Sequence, residues 1–297
     1  MSELRVGIVG AGPWARRVHA PGVHAHPGMQ LSAVWARRPD AAKELAYPYG
    51  ADVADGFDAL LDAVDAVAFA VPPAVQGELA AAAARAGKHL ILEKPLAGDV
   101  PGAEEVVAAV ERSGVAALLM LTRRYAPEVR EWLTGLGRLG GWKGGTAQWL
   151  GGGLLSGDYA TSPWRQAPAG ALLDAGPHAL DLLDAALGSI NQVHHAQRDA
   201  GDLWHLVLGH ASGANSTLAL SLRVPVQPAL QEFTVYGAQG KSQLTGGRTA
   251  ARECYAQMLD EFFAMIRAGR TGHPCDVRRG LHLQRVLETV QRVLVGA

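Results

Sequence analysis

Cysteine is nearly absent: Cys254 and Cys275 are the only two in 297 residues, far apart and in no CxxC spacing. That excludes a disulfide framework, and a reducing cytoplasm is the expected compartment. No metal site is expected. The chain also lacks a surplus of either charge, with 27 basic and 28 acidic residues and a formal charge of −1. Nothing in that balance advertises a nucleic acid or an anionic membrane, so small molecules are the expected partners. Long apolar runs are missing too. The run Ala66 to Val71 is far too short to cross a bilayer and stops at Pro72-Pro73. Met1 to Gly12 passes straight into a strand and a glycine turn, so no secretory leader is expected.

What the chain does have is length and alternation. Its size favours two domains over one core. Apolar runs at Leu4–Val9, Leu31–Ala36, Ala66–Val71, His89–Leu92 and Val115–Leu121 read as strands. Stretches of helical spacing lie between them at Pro13–Ala20, Ala41–Ala46, Val75–Ala86 and Val100–Arg112. This βα alternation predicts a doubly wound parallel sheet over residues 1–122. Residues 123–297 follow a different pattern. A helix near Ala126–Leu133, a glycine-rich passage and a helix near Pro177–Leu187 precede strand-like runs at His194–Gln197, Leu203–His210, Ser216–Val224 and Glu232–Tyr236. Helices near Tyr255–Ala268 and Arg278–Val295 close the chain. The second domain is therefore expected to be α+β with a mainly antiparallel sheet.

The first strand runs into Gly10-Ala11-Gly12-Pro13-Trp14-Ala15, a GxGxxA turn that opens a helix. Gly10 permits the tight turn, Gly12 lets a pyrophosphate approach the backbone, and Ala15 lets helix and strand pack closely. Pro13 suits a first helical turn, where its missing N–H costs little. NAD-binding versions carry an acid at the end of the second strand, but here Ala36 is followed by Arg37 and Arg38. A guanidinium matches a 2′-phosphate with a planar fork of donors, so NADP is preferred over NAD. The plain alternative is a solvated loop.

Two further segments carry candidate chemistry. The strand His89–Leu92 runs into Glu93-Lys94-Pro95, and the carboxyl ends of strands in an open α/β sheet are where ligands bind. Lys94 there can donate a proton or polarise a carbonyl; its structural alternative is an ion pair with Glu93. The second segment is Asp174-Ala175-Gly176-Pro177-His178-Ala179-Leu180-Asp181, whose 174, 178 and 181 share one face of a helix. Pro177 restricts where that helix begins, so Asp174 is expected at or just before its first turn as an N-cap. A buried, satisfied imidazole is the structural alternative for His178.

The strand ending in Glu-Lys-Pro, together with a D-x-G-x-H-x-x-D run, resembles the two signatures of the Gfo/Idh/MocA family of oxidoreductases. Val71-Pro72-Pro73, Arg123-Arg124-Tyr125, Trp164-Arg165 and Tyr236-Gly237-Ala238-Gln239-Gly240 are similar to further family segments, while Val71 stands where Thr is frequent and Gln76 where His is frequent. The resemblance implies catalytic roles for Lys94, Asp174 and His178. It implies a dinucleotide held by Gly10, Gly12, Pro13, Trp14, Arg37, Arg38, Val71, Pro72, Glu93 and Lys94. Substrate would contact Arg123, Tyr125, Trp164, Arg165, Asp174 and His178. The implied reaction is hydride transfer between nicotinamide and a carbonyl or secondary alcohol of a sugar-like or cyclitol substrate. An imine reductase and a non-catalytic, cofactor-loaded sensor or assembly protein are the alternatives. Pattern and resemblance together predict a homodimer or homotetramer through the second-domain sheet. In Leu203–Leu208 apolar side chains point both ways, so either Leu203 and Val207 or Trp204, Leu206 and Leu208 need cover from a partner.

Overall fold

The computed structural model describes residues 3–247 and 249–295. Backbone contacts divide the chain into two compact units, residues 1–125 with 250–281, and residues 126–249 with 282–297. The chain first passes from one unit to the other at Tyr125–Ala126. The contact division also groups 250–281 with the first unit.

The first unit alternates strands and helices. β1 (Leu4–Val9), α1 (Ala20–Ala25), β2 (Met29–Trp35), α2 (Pro39–Ala46), β3 (Asp52–Val53) and α3 (Phe57–Ala63) form one half. β4 (Ala66–Phe69), α4 (Pro73–Arg85), β5 (His89–Leu92), α5 (Val100–Ser113) and β6 (Ala117–Leu119) form the other. All strand pairs are parallel, in the order β3-β2-β1-β4-β5-β6, the order of a doubly wound dinucleotide-binding sheet. β4 is buried along its whole length, which explains its unbroken apolar sequence: both faces are covered by helices.

Unit two begins with α6 (Pro127–Leu139), β7 (Trp142–Leu150), the short α7 (Pro163–Gln166) and α8 (Gly170–Leu187). β8 (Ile190–Arg198), β9 (Trp204–His210), β10 (Asn215–Ser221), β11 (Leu230–Gly237) and β12 (Gly240–Thr245) follow. The sheet order is β12-β11-β7-β10-β9-β8, antiparallel except for the β7–β10 pair. α8 packs across this sheet, touching β7, β8, β9, β10 and β11. Ala196, Leu206, Leu218, Ala147, Phe233 and Leu244 form one continuous cross-strand row, and all are buried. Each leucine buried this way contributes roughly 1.5–3 kcal/mol. Two long helices complete the chain, α9 (Ala251–Arg267), which packs in the first unit, and α10 (Val277–Val295).

The outcome for the helix carrying Asp174 and His178 differs from expectation. It begins at Gly170, with Pro177 inside it, so Asp174 lies within the helix and does not cap it. The residue before a proline is normally pushed out of helical geometry by a clash involving its Cβ, and Gly176 has none. The cap comes instead from far along the chain: the Asp202 carboxylate accepts from Ala171 N–H at 3.0 Å, and its other oxygen accepts from Trp204 Nε1 at 2.7 Å. Gly170 is required at the helix start, because a Cβ there would lie 1.8 Å from the Arg165 carbonyl oxygen.

Candidate active site

In the first unit the glycine turn is fixed at both sides. Gly10 N–H donates to the Trp35 carbonyl at 2.8 Å, and Gly10 has φ of +103° with its Cβ direction blocked by the Ala70 carbonyl at 2.4 Å, so only glycine fits. At Gly12 a Cβ would meet no protein atom within 4 Å. It would instead project into the space ahead of the helix start, where a pyrophosphate needs to come close. The first helical bond runs from Arg16 N–H to the Gly12 carbonyl at 3.1 Å, leaving the preceding N–H groups without intrahelical acceptors. Arg16 ties the turn to α2 by donating to the Ala11 carbonyl at 3.2 Å and to Glu44 at 2.9 Å. Arg37 and Arg38 are exposed at the end of β2. The residues present thus fit a dinucleotide.

Beyond the turn the helix widens to i→i+5 bonding over Ala15–His19, a geometry often found at functional sites. An i→i+5 turn brings residues five apart to one side, and Trp14 and His19 both reach Glu93. Glu93 Oε1 accepts from Trp14 Nε1 at 2.6 Å and lies 3.0 Å from His19 Nε2. The backbone of the same Glu93–Leu96 turn is clamped by the fully buried Gln76. Its amide donates to the carbonyls of Glu93 at 2.6 Å, Leu96 at 3.1 Å and Pro95 at 3.3 Å, and its oxygen accepts from Glu93 N–H at 2.9 Å. Lys94 stands half-buried in this doubly clamped turn. Val71 and Pro72 lie at the carboxyl end of β4, the neighbour of β5. Arg123 is buried, and Tyr125 is fully buried with its hydroxyl on the Leu119 carbonyl at 3.2 Å and its ring stacked on His273. That placement gives Tyr125 a packing job.

In the second unit, α8 presents Asp174 and His178 one turn apart. Asp174 Oδ2 accepts from Arg165 Nε at 3.0 Å. The Arg165 guanidinium lies over two rings, 4.3 Å from the centroid of Tyr159 and 4.2 Å from that of Trp164. His178 is 9% exposed and stacks on Trp149 of β7, with ring centroids 5.7 Å apart and planes 14° from parallel. The unit therefore brings Trp164, Arg165, Asp174 and His178 into one constellation. Sequence reasoning had not selected Tyr159 or Trp149, although Trp149 occupies an inward position in the alternation of β7. Among the described residues no group of three or more His, Cys, Asp or Glu is placed to hold a metal ion, and no helix is long and apolar enough to cross a membrane.

Comparison with known proteins agrees with this architecture. Residues 4–120 match the model of an oxidoreductase family with an NAD-binding Rossmann fold, and residues 128–243 match the GFO/IDH/MocA C-terminal domain. Over 132 residues the chain is 34% identical to a dTDP-3,4-didehydro-2,6-dideoxy-alpha-D-glucose 3-reductase of Actinomadura kijaniata. That stretch covers 44% of this chain and 40% of the relative, less than half its length. Among solved structures, GenD2 from gentamicin A biosynthesis, in complex with NAD, superposes with a TM-score of 0.87 at 22% identity, covering 99% of this chain and 95% of that one. KijD10, a 3-ketoreductase from Actinomadura kijaniata in complex with NADP, gives 0.78 at 21% identity over 99% and 98%. These likenesses show the fold, and with both domain models matched, the chain belongs to the Gfo/Idh/MocA family of NAD(P)-dependent oxidoreductases.

Proposed function

We propose that this protein reduces or oxidises a small, polar, sugar-like substrate at a carbonyl or secondary alcohol, using NADP in preference to NAD, in the cytoplasm. The observation that carries the reading is the tie between Trp14, at the glycine turn, and Glu93, beside Lys94: the dinucleotide cradle and the candidate proton donor are one hydrogen-bonded piece. When bound, the nicotinamide supplies or takes the hydride. The chain's own groups handle the proton. Lys94 Nζ is suited to hydrogen-bond the substrate oxygen, His178 offers an imidazole to give or take the proton, and Asp174, paired with Arg165, orients the substrate hydroxyls. Trp164 offers a ring against which a sugar face can stack. The 3-reductase activity in the name of the Actinomadura relative supports a keto-sugar as the substrate class. Nicotinamide absorbance followed with a panel of keto-sugars, cyclitols, simple ketones and cyclic imines tests the proposal. Turnover confined to imines would replace it with an imine reductase. Cofactor binding with no turnover would leave a sensor or assembly protein.

A further inference from the structure

Glu93 is connected through His19 to a tyrosine on α9. His19 has no exposed surface; its Nε2 faces Glu93 Oε1 at 3.0 Å and its Nδ1 faces the Tyr255 hydroxyl at 3.1 Å. The two rings are 4.8 Å apart, and Tyr255 is completely buried. Hydrogen-bond roles follow from the chemistry of the ends. An ionised carboxylate only accepts, so the proton of His19 belongs on Nε2; the neutral ring then offers Nδ1 as an acceptor, and the Tyr255 O–H is the donor that meets it. Burial, reinforced by the negative charge of Glu93, pushes the Tyr255 hydroxyl well above its usual 10.0, so it stays a donor.

From this geometry we infer that His19 and Tyr255 are positioning residues: the Tyr255 hydroxyl fixes the Nε2–H tautomer of His19, and His19 with Trp14 fixes the Glu93 carboxylate and the turn that carries Lys94. The inference rests on the proposed role of Lys94 in turnover. Gln76 already holds the backbone of this turn, so the relay controls what the backbone clamp does not, namely the direction of the Glu93 side chain and the approach of the glycine-turn helix to Lys94. Small displacements of a positioned group have large effects on rate.

The full chain loaded with NADP and labelled with 15N-histidine tests the relay directly. His19, identified by its loss in His19→Gln, is expected as a single Nε2–H tautomer in the wild type and as a tautomer mixture in Tyr255→Phe. Tyr255→Phe is expected to lower kcat about tenfold, the effect of one lost hydrogen bond, with KM and NADP affinity nearly unchanged. His19→Gln, whose amide can still donate to Glu93, should retain more kcat than His19→Ala. An Nδ1–H or doubly protonated His19 in the wild type, or wild-type kcat in Tyr255→Phe, overturns the inference. Should no substrate turn over, the reading of function fails, while the tautomer in wild type and Tyr255→Phe still decides the relay.

Discussion

Arg165 holds Asp174 through Nε at 3.0 Å while its guanidinium carbon lies over the rings of both Tyr159 and Trp164, and both partners of the pair are less than one-fifth exposed. An exposed ion pair contributes little, but this one is built to orient a carboxylate. Lysine keeps the charge and loses both the fork and the planar stacking. Arg165→Lys is therefore expected to lower kcat/KM at least about tenfold while leaving the melting temperature within a few degrees of wild type. Full activity in Arg165→Lys would reduce the pair to ordinary surface electrostatics.

Lys94→Ala should lower turnover roughly a hundredfold or more, because one positioned proton-transfer group is worth that much. The turn is held by Gln76, Trp14 and His19, so the variant should still bind the dinucleotide. Fluorescence titration with NADPH beside steady-state kinetics separates the two effects. Near-normal turnover would remove Lys94 from the mechanism.

Arg37→Ala is expected to weaken NADP far more than NAD, since only NADP carries the phosphate that a guanidinium clamps. Arg37 is exposed, so the substitution should leave the fold intact. Calorimetric titration with both nucleotides decides it; equal losses, or none, would return Arg37 to the solvated loop.

Two histidines predict acid sensitivity of the fold. Burial pushes both His89 and His210 below their usual 6.5. His89 Nδ1 accepts from Ala116 N–H at 3.0 Å, and His210 sits between the Gly188 carbonyl and the Ser216 hydroxyl. As pH falls through 6.5 the unfolded chain takes up protons that the folded one refuses, so stability falls with pH in that window. Asp65, held below 3.8 by its bond to Arg5, loses its contribution only in stronger acid and does not enter the window. Urea unfolding should show lower stability at about pH 5.5 than at about pH 7.5. His89→Asn, which retains an acceptor for Ala116, should flatten part of the slope. A flat profile in the wild type would contradict the burial argument.

β1, β2, β4, β5 and β6 were legible because such strands are short, apolar and bounded by helical stretches, whereas the two-residue β3 and the short α3 were not anticipated. β7 was not, although it lies within the second sheet: Gly144 and Gly145 dilute its alternation, and its place depends on pairing with β10 and β11, far along the chain. The start of α8 was hidden for a similar reason, since its cap is Asp202, on the other side of β8. Lys94, Asp174 and His178 could be selected by motif. What holds them could not, because Gln76, His19, Tyr255 and Tyr159 occur in no local pattern that announces their partners.

The second-unit sheet leads to the last prediction, by a route different from the one its sequence suggested. Trp204, Leu206 and Leu208 are all buried and belong to the face on which α8 packs, which leaves Val207 and His205 on the other. That other face is not an apolar patch. Its central row runs His195, Val207, Thr217, Thr146, Thr234 and Gln243 across all six strands. The next row runs Gln197, His205, Ala219, Gln148, Glu232 and Thr245. Thr146, Gln148 and Thr217 are exposed, and Glu232 is the one carboxylate in the two rows. A sheet face this broad and poor in charge has the composition of an interface core, where charged residues are depleted, more than that of a solvated surface. A two-fold axis would pair the face with itself in a second copy. Sedimentation at micromolar concentration is expected to show at least a dimer. Thr146→Glu places a charge at the centre of the row, and two copies related by the axis would bring those charges together and desolvate them, so this variant should sediment as a monomer near 31.2 kDa. A wild-type chain that is already monomeric would show that threonine and glutamine rows are enough to keep this face in water.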